Sequence, residues 1–339
     1  MNYIIYKNEN ALYYECNYSC DNAIFLKLGS EAFFITDGRY EIEAKEQVVG
    51  AQVIIAQDLL QSAAKILKKH KIKKATIDPN EWNIFAFNKI KENTPTKFKL
   101  LASFSHKKRI IKTQQEIELL QKAVTIGKKS FKKIAAMIEK SKGLREYELN
   151  FLAESILREQ GRRELSFEPI LAINENAAKP HATPTKTKLK KKSLILLDAG
   201  IKYKRYCSDR TRTAFFDKEC NFKLEQRFKS KKMQRIYDTV LKAHNKAISK
   251  ARVGMKAKDI DKIAREVIEK AGFGKYFVHS TGHGVGLDIH EMPYISSKSD
   301  TIIKEGMVFT IEPGIYLPDE FGVRIEDMVV MQGNRAKVL

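Results

Sequence analysis

The sequence predicts an α/β protein of two domains, the second built from one αβ unit used twice. Three observations lead there. The chain has 339 residues, and a single core usually stops growing near ~250–300 residues. Through the first hundred positions, short apolar runs closed by turn signals alternate with helically spaced stretches. Beyond them, the order "two helices, then strands" occurs two times.

The first domain is read over residues 1–108. Ala32–Thr36 (AFFIT) is a short apolar run closed by Asp37-Gly38, a turn signal. Val53–Ala56 is a second strand, Leu59–His70 has helical spacing, and Ala75–Ile77 before Asp78-Pro79 is a third strand. No cluster of catalytic residue types falls in this region. The basic stretch Ser105–Lys112 (SHKKRIIK) reads as the boundary, so the second domain is expected over residues 109–339.

That domain opens with Thr113-Gln-Gln-Glu116, a capping box. Ile117, Leu120, Val124, Gly127, Phe131, Ile134 and Ile138 follow at steps of three and four, which predicts a long amphipathic helix. A second helix runs through Leu149, Leu152, Ile156 and Leu157 to Gly161, and strands are expected at Leu194–Ala199 and Thr211–Phe216. The pattern then recurs. One helix passes through Ile236, Val240, His244 and Ile248, and another through Ile260, Ile263, Ala264, Val267 and Ile268 to Gly272. Strands follow at Met307–Glu312 and Val323–Met331.

Composition removes several classes of function. Residues Met1–Ala11 lack a basic start followed by a long apolar run, and nowhere do ~18 apolar residues run together. Neither a signal peptide nor a membrane span is expected, and the location expected is cytoplasmic. Cys16, Cys20, Cys207 and Cys220 show no C-x-x-C spacing and are too few for a disulfide framework, so reduced structural thiols are expected. The net charge is +21, but the lysines are spread along the chain. Their short clusters, Lys68–Lys74, Lys186–Lys192 and Lys229–Lys232, are not interleaved with the aromatic or glycine signatures of a single-strand binder. The charge therefore reads as a solvated surface, and nucleic acid is not the expected partner.

The residues that carry chemistry lie between His181 and Asp327. The run Leu194–Leu197 ends on Asp198, and eleven positions later comes Asp209. A turn near Tyr203-Lys204 would let two antiparallel strands bring both carboxylates together. Glu312 ends another apolar strand, and alternation places Arg324, Glu326 and Met328 on one face of a third. Singly, each acid fits a strand-edge charge or a salt bridge. Together they are costly among apolar strands unless cations intervene. Histidine is concentrated nearby: of seven in the chain, His279, His283 and His290 fall within twelve residues of a glycine-punctuated stretch. The glycines permit tight turns and close approach. A phosphate loop at Gly282–Gly286 is discounted because no G-K-[ST] ending follows. Four carboxylates and an imidazole suit Mn²⁺, Co²⁺, Fe²⁺ or Zn²⁺. Two such ions balance four negative charges and leave room for a hydroxide nucleophile.

From about Ile110 onward, roughly two thirds of the chain, the sequence resembles the pita-bread metallopeptidases. Within them it is similar to the Xaa-Pro branch, aminopeptidase P and Xaa-Pro dipeptidase. The motifs are R-I-I-K-T-x-x-E-I at Arg109, P-H at Pro180, D-A-G-x-x-Y at Asp198 and Y-x-S-D-x-T-R-T at Tyr206. H-x-T-G-H-G-V-G-L-x-x-H-E-x-P follows at His279, T-I-E-P-G-I-Y at Thr310 and G-V-R-I-E-D at Gly322. Ile35–Tyr40 is similar to the creatinase-type domain that precedes the catalytic half in this branch.

The resemblance implies a dinuclear centre held by Asp198, Asp209, His283, Glu312 and Glu326, with Mn²⁺ the first expectation and Co²⁺, Zn²⁺ or Fe²⁺ the alternatives. Asp198 would chelate one ion, Asp209 and Glu326 would bridge both, and His283 and Glu312 would bind the second. Glu312 would also be the general base. His181, His279 and His290 match histidines that contact substrate and oxyanion, and Arg324 matches an arginine that orients carboxylates. The implied substrate is a peptide with proline in second place, and the implied assembly is a homodimer. Lys179, Arg210 and Asp319-Glu320-Phe321 depart from the commoner pattern. Tyr294 stands where some dipeptidase-type members carry an arginine, which inclines the reading toward aminopeptidase. Strict dipeptidase is the closest rival. Methionine aminopeptidase usually lacks the leading domain. Creatinase and the noncatalytic binding members have lost ligands that are intact here.

Overall fold

The computed structural model describes residues Met1–Leu339, which divide into two compact units, Met1–Arg109 and Ile110–Leu339. The first unit holds β1 (Tyr3–Tyr6), α1 (Glu9–Cys16), β2 (Ala23–Leu28), β3 (Glu31–Thr36), α2 (Glu41–Gln47), β4 (Gln52–Ile55), α3 (Leu59–Lys69), β5 (Lys74–Ile77), α4 (Ile84–Glu92), β6 (Lys97–Leu100) and α5 (Phe104–Arg109). Its six strands form one mixed sheet in the order β4-β3-β2-β1-β5-β6. Apolar side chains cover both faces. Ile24, Leu26 and Ile35 pack against α3 and α4 residues, while Phe25 and Phe34 pack on the other side with Leu12 and Ala44. Burial on both sides explains why AFFIT is apolar at successive positions rather than alternating. The stretch Ser105–Lys112 is a connection by composition. In the structure its first part is helical, because Ser105 and Arg109 of α5 are buried and Ser105 Oγ donates to Glu81.

The second unit continues with α6 (Gln114–Glu139), α7 (Glu146–Leu157), β7 (Ile170–Ile173), β8 (Ser193–Asp198), β9 (Lys202–Tyr203), β10 (Tyr206–Cys207) and β11 (Thr211–Phe216). Then come α8 (Lys231–Lys250), α9 (Ala257–Lys270), β12 (Gly282–Gly284), β13 (Glu291–Ile295), β14 (Val308–Ile311), β15 (Gly314–Leu317), β16 (Phe321–Arg324), β17 (Asp327–Gln332) and β18 (Arg335–Val338). The capping box is formed: Thr113 Oγ1 accepts from Glu116 N, and Glu116 returns to the Thr113 amide. One apolar core joins Phe131, Ile134 and Leu149 of α6 and α7 to Ile195, Leu197 and Ala214. The other joins Ile236, Val240 and Ile260 of α8 and α9 to Phe309, Ile311 and Val329. Helix pairs thus cover strands two times over, in the arrangement of a pita-bread fold.

Strand β8 lies between the two cores. Leu194 and Leu196 belong to one and Ile195 and Leu197 to the other, so the run is uniformly apolar. Its central place sets Asp198 at the meeting of both halves. No helix of the protein is long and apolar enough to cross a membrane.

Candidate metal centre

The hairpin β9–β10 turns at Lys204 and Arg205, both with positive φ (47° and 70°), and pairs Tyr203 with Tyr206. It returns the chain so that β11 runs antiparallel to β8 with Thr211 opposite Asp198. Asp209, two residues before Thr211, is thereby delivered beside the end of β8. The run expected as one strand, Val323–Met331, is two. Arg324 of β16 pairs with Gly314, whereas Asp327 of β17 pairs with Ile311. The chain changes sheets at Ile325–Glu326, where the Glu326 amide donates to Thr211 O at 3.1 Å. Arg324, Glu326 and Met328 still share a side: they bond Asp198, Thr211 and the Asp209 amide respectively.

His283 sits on β12, between β13 and β14, at a register shift between His283 and Gly284. Such irregularities re-aim a side chain. The glycines serve this close packing. A Cβ on Gly282 would stand 1.9 Å from Thr310 O, and one on Gly284 2.3 Å from Met292 O. The stretch is therefore a strand pressed on its neighbours, not a loop open to phosphate. Glu312 follows β14 directly, anchored by its amide to Thr281 O at 2.7 Å.

The ligand atoms of Asp209, His283 and Glu326 all lie within 4.8 Å of one another. His283 Nε2 is 3.5 Å from Asp209 Oδ2 and 3.3 Å from Glu312 Oε1. Asp198 joins through Arg324, whose Nη2 donates to its Oδ2 at 2.7 Å, while its Oδ1 is shielded and has no hydrogen-bond partner. The five residues are thus brought together, with the first three most tightly grouped.

The protons of this cluster decide what it can do. His283 Nδ1 is 3.1 Å from Gly284 O, which can only accept. Nδ1 therefore carries the hydrogen, and the Nε2 lone pair faces two carboxylates. Burial keeps the imidazole pKa below its ordinary value, so it stays neutral. Asp209 is raised well above the usual carboxylate range, first by burial and then by the charges of Glu326, Asp198 and Glu312. Glu326 is raised likewise by burial and by Glu312 and Asp198, and Glu312 is raised chiefly by burial. Acceptors converge here without a donor among them. Oxygen and imidazole donors in this array fit divalent cations, which remove the repulsion.

A set of hydroxyls and one guanidinium orients these acids. Thr211 Oγ1 donates to Glu326 Oε2 at 2.7 Å and accepts from Arg324 Nε at 3.1 Å. Thr310 Oγ1 donates to Glu312 Oε1 at 3.2 Å and accepts from the His283 amide at 3.1 Å. Arg324 Nη1 donates to Tyr316 OH at 2.7 Å and to Pro180 O at 3.2 Å. His279 Nδ1 faces Ser280 O at 2.7 Å, so its Nε2 accepts from Tyr316 OH at 2.8 Å. Burial pushes the Tyr316 hydroxyl up to about 12, which keeps it protonated for that bond.

His279 is half-buried and lowered by burial. His290 is open to solvent on one side, with its ring centre 4.3 Å from that of His283, and its partial desolvation against that ring holds the imidazole below its ordinary value. His181 is exposed beside Pro180, whose carbonyl Arg324 holds.

Taken singly in the sequence, Thr211, Thr310 and Tyr316 carry no functional signal, although all three lie inside the motifs that hold the acids. The Lys112–Glu291 ion pair, in which each side chain is only 1% exposed, is equally silent in the sequence. Its only trace there is a lysine and a glutamate inside two motifs otherwise rich in apolar residues and histidine.

Residues 118–333 match metallopeptidase family M24. Over 231 residues the chain is 42% identical to the Xaa-Pro dipeptidase of Pyrococcus furiosus, a match spanning 68% of this chain and 63% of that protein, less than two thirds of its length. The solved Xaa-Pro dipeptidase of Bacillus anthracis superposes with a TM-score of 0.90 at 32% identity, covering 99% of this chain and 92% of the other. The X-Pro aminopeptidase of Thermotoga maritima gives 0.87 at 29% identity, covering 99% and 94%. The matched segment contains every acid and imidazole of the cluster, and the chain belongs to metallopeptidase family M24.

Proposed function

We propose that the protein is an Xaa-Pro aminopeptidase, hydrolysing the peptide bond between an N-terminal residue and a following proline. The observation that carries this reading is the grouping of Asp209, Glu312 and Glu326 around the His283 lone pair, with Asp198 beside them on Arg324, in a chain of this family. Asp198, Asp209, His283, Glu312 and Glu326 would hold two divalent ions, Mn²⁺ first among them. When bound, the ions supply Lewis acidity to the scissile carbonyl and lower the pKa of the attacking water.

The chain's own groups do the rest. Glu312 Oε1 is tied by Thr310, which leaves Oε2 to take the proton from water and return it to the proline nitrogen as the C–N bond breaks. His279 is fixed by Ser280 and Tyr316. With His181 and His290 it would stabilise the tetrahedral oxyanion and grip the substrate. Arg324 positions Asp198 and Tyr316 together. Arg324→Lys is expected to reduce kcat about 10- to 100-fold, with KM changed far less. An equal rise in KM would instead mark Arg324 as a substrate contact.

A proline nitrogen carries no hydrogen, so recognition has to use the chain's amino terminus and the pyrrolidine ring. The rival reading, a strict Xaa-Pro dipeptidase, is favoured by the names of two of the relatives above. Half-exposed Tyr294 supports the aminopeptidase reading, because a neutral side chain there does not clamp a product carboxylate. Chelated protein should be inactive and regain activity with Mn²⁺, Co²⁺ or Zn²⁺ on Xaa-Pro, Xaa-Pro-Yaa and longer peptides. Cleavage of the dipeptide alone would establish the rival. Activity that survives complete chelation would remove the metal centre from the mechanism. The same reading includes a cytoplasmic homodimer. Ile84 and Phe85, 80% and 75% exposed on the first unit, support an apolar contact there.

A further inference from the structure

Arg210 follows a proposed ligand, yet none of the steps above uses it. Its guanidinium lies 5.5 Å from the ring centre of Phe131, and its Nη1 is 3.9 Å from Asp327 Oδ1. Its Nε and Nη1 are shielded from solvent and have no hydrogen-bond partner. Beside it stands Arg212, 2% exposed. Arg212 Nη2 spans both oxygens of Asp327 at 2.7 and 2.8 Å, and its Nη1 donates to the carbonyls of Thr211 and Glu326. Its Nε has no partner. Lys128, from α6, is the third cation and donates to Leu339 O.

These groups and His244 line a cavity of about 480 Å³ with an apolar wall that includes Leu224 and Ile248. Among the side chains, three cations, Lys128, Arg210 and Arg212, face one carboxylate, Asp327, a balance of +2 before His244 is counted. That carboxylate is already engaged by Arg212, with His244 Nε2 3.3 Å from its other side. Burial and the Arg210 charge hold the Lys128 amine below its ordinary value. Stacking on Phe131 accounts for one face of Arg210. It leaves the N–H edge without an acceptor, and a buried cation in that state is costly.

We propose that this cavity binds a phosphoryl oxyanion, either free phosphate or the head of a small phosphate monoester, through Lys128, Arg210 and the Nε of Arg212. The excess of two positive charges matches a dianion, and the guanidinium edges match tetrahedral oxygens. The apolar wall has room for an organic body. No step of the proposed peptidase chemistry uses these groups, and the test needs no turnover.

The test is isothermal titration of the metal-loaded protein, in sulfate-free and phosphate-free buffer, with inorganic phosphate and separately with adenosine monophosphate. At least one of them should bind, and the tighter of the two identifies the source of the phosphoryl group. Arg210→Met and Lys128→Met should each weaken that binding at least about tenfold, the loss of one charge-assisted hydrogen bond. Arg210→Met should also raise the melting temperature in phosphate-free buffer, because it removes a shielded guanidinium whose Nε and Nη1 have no acceptor. If it fails to fold, Lys128→Met carries the test alone. Failure of both ligands to bind, or binding undiminished in both variants, overturns the proposal. The second result would place the anion elsewhere, such as at the metal centre.

Discussion

Asp209→Ala and Glu326→Ala are each expected to lower kcat/KM at least about a thousandfold, since a centre worth several kcal/mol to the transition state is dismantled. Both carboxylates belong to the tightest grouping, within 4.8 Å of each other and of His283. Neither has a neighbouring acid free to replace it. Asp198 is held by Arg324, and Glu312 by Thr310. Metal content measured on the purified variants should fall below two ions per chain. The two readings have to fall together. A variant that turns over peptide at a near-normal rate with metal limiting would remove its residue from the ligand set.

The second large effect appears when the metal is withdrawn. Burial and mutual repulsion raise Asp209, Glu312 and Glu326 above their ordinary values. A folded pKa above the unfolded one means that the folded state retains protons the unfolded chain has released. Stability from these groups is therefore full below the ordinary carboxylate range and is lost as pH rises through the raised values. Metal-free protein should lose melting temperature steadily as pH rises above the ordinary carboxylate range, whereas the metal-loaded protein should not. Glu326→Gln keeps the shape and an acceptor for Thr211 but removes one charge. It should stabilise the metal-free protein by on the order of 1–3 kcal/mol at pH 8, seen as a rise of several degrees. A flat pH profile without metal, or a lower melting temperature for this variant, would show that the acids are not in conflict when the ions are absent.

Much of this architecture was legible in the residues. The long helix α6 shows its apolar stripe and its capping box openly, and Thr211–Phe216 is the strand that its composition describes. The N-terminal unit was less legible. Strand β1 and helix α1 have little patterning of their own; Leu12 and Ile5 are buried only because the sheet brings them together. The division of Val323–Met331 into β16 and β17 was hidden for a different reason. Alternation along the chain continues through the break, so periodicity records which side each residue faces but not which sheet it pairs with. The acids and His283 were readable because acids in apolar strands are conspicuous. Thr211, Thr310 and Tyr316 were not, since a hydroxyl in a strand is ordinary until its partner is known. The vacant edge of Arg210 depends wholly on packing, and the sequence could mark it only as an unusual neighbour.

The crossing at Ile325–Glu326 bears on how the protein comes apart. Here the main chain of one half-core is stitched to the other: Glu326 donates to Thr211 O, and Thr213 exchanges bonds with Arg324 in both directions. Neither half can loosen alone without tearing that seam. Amide protons at Arg324 and Glu326 should consequently exchange with solvent only when the entire second unit opens, and a severed half would keep too few of the acids to hold a divalent ion.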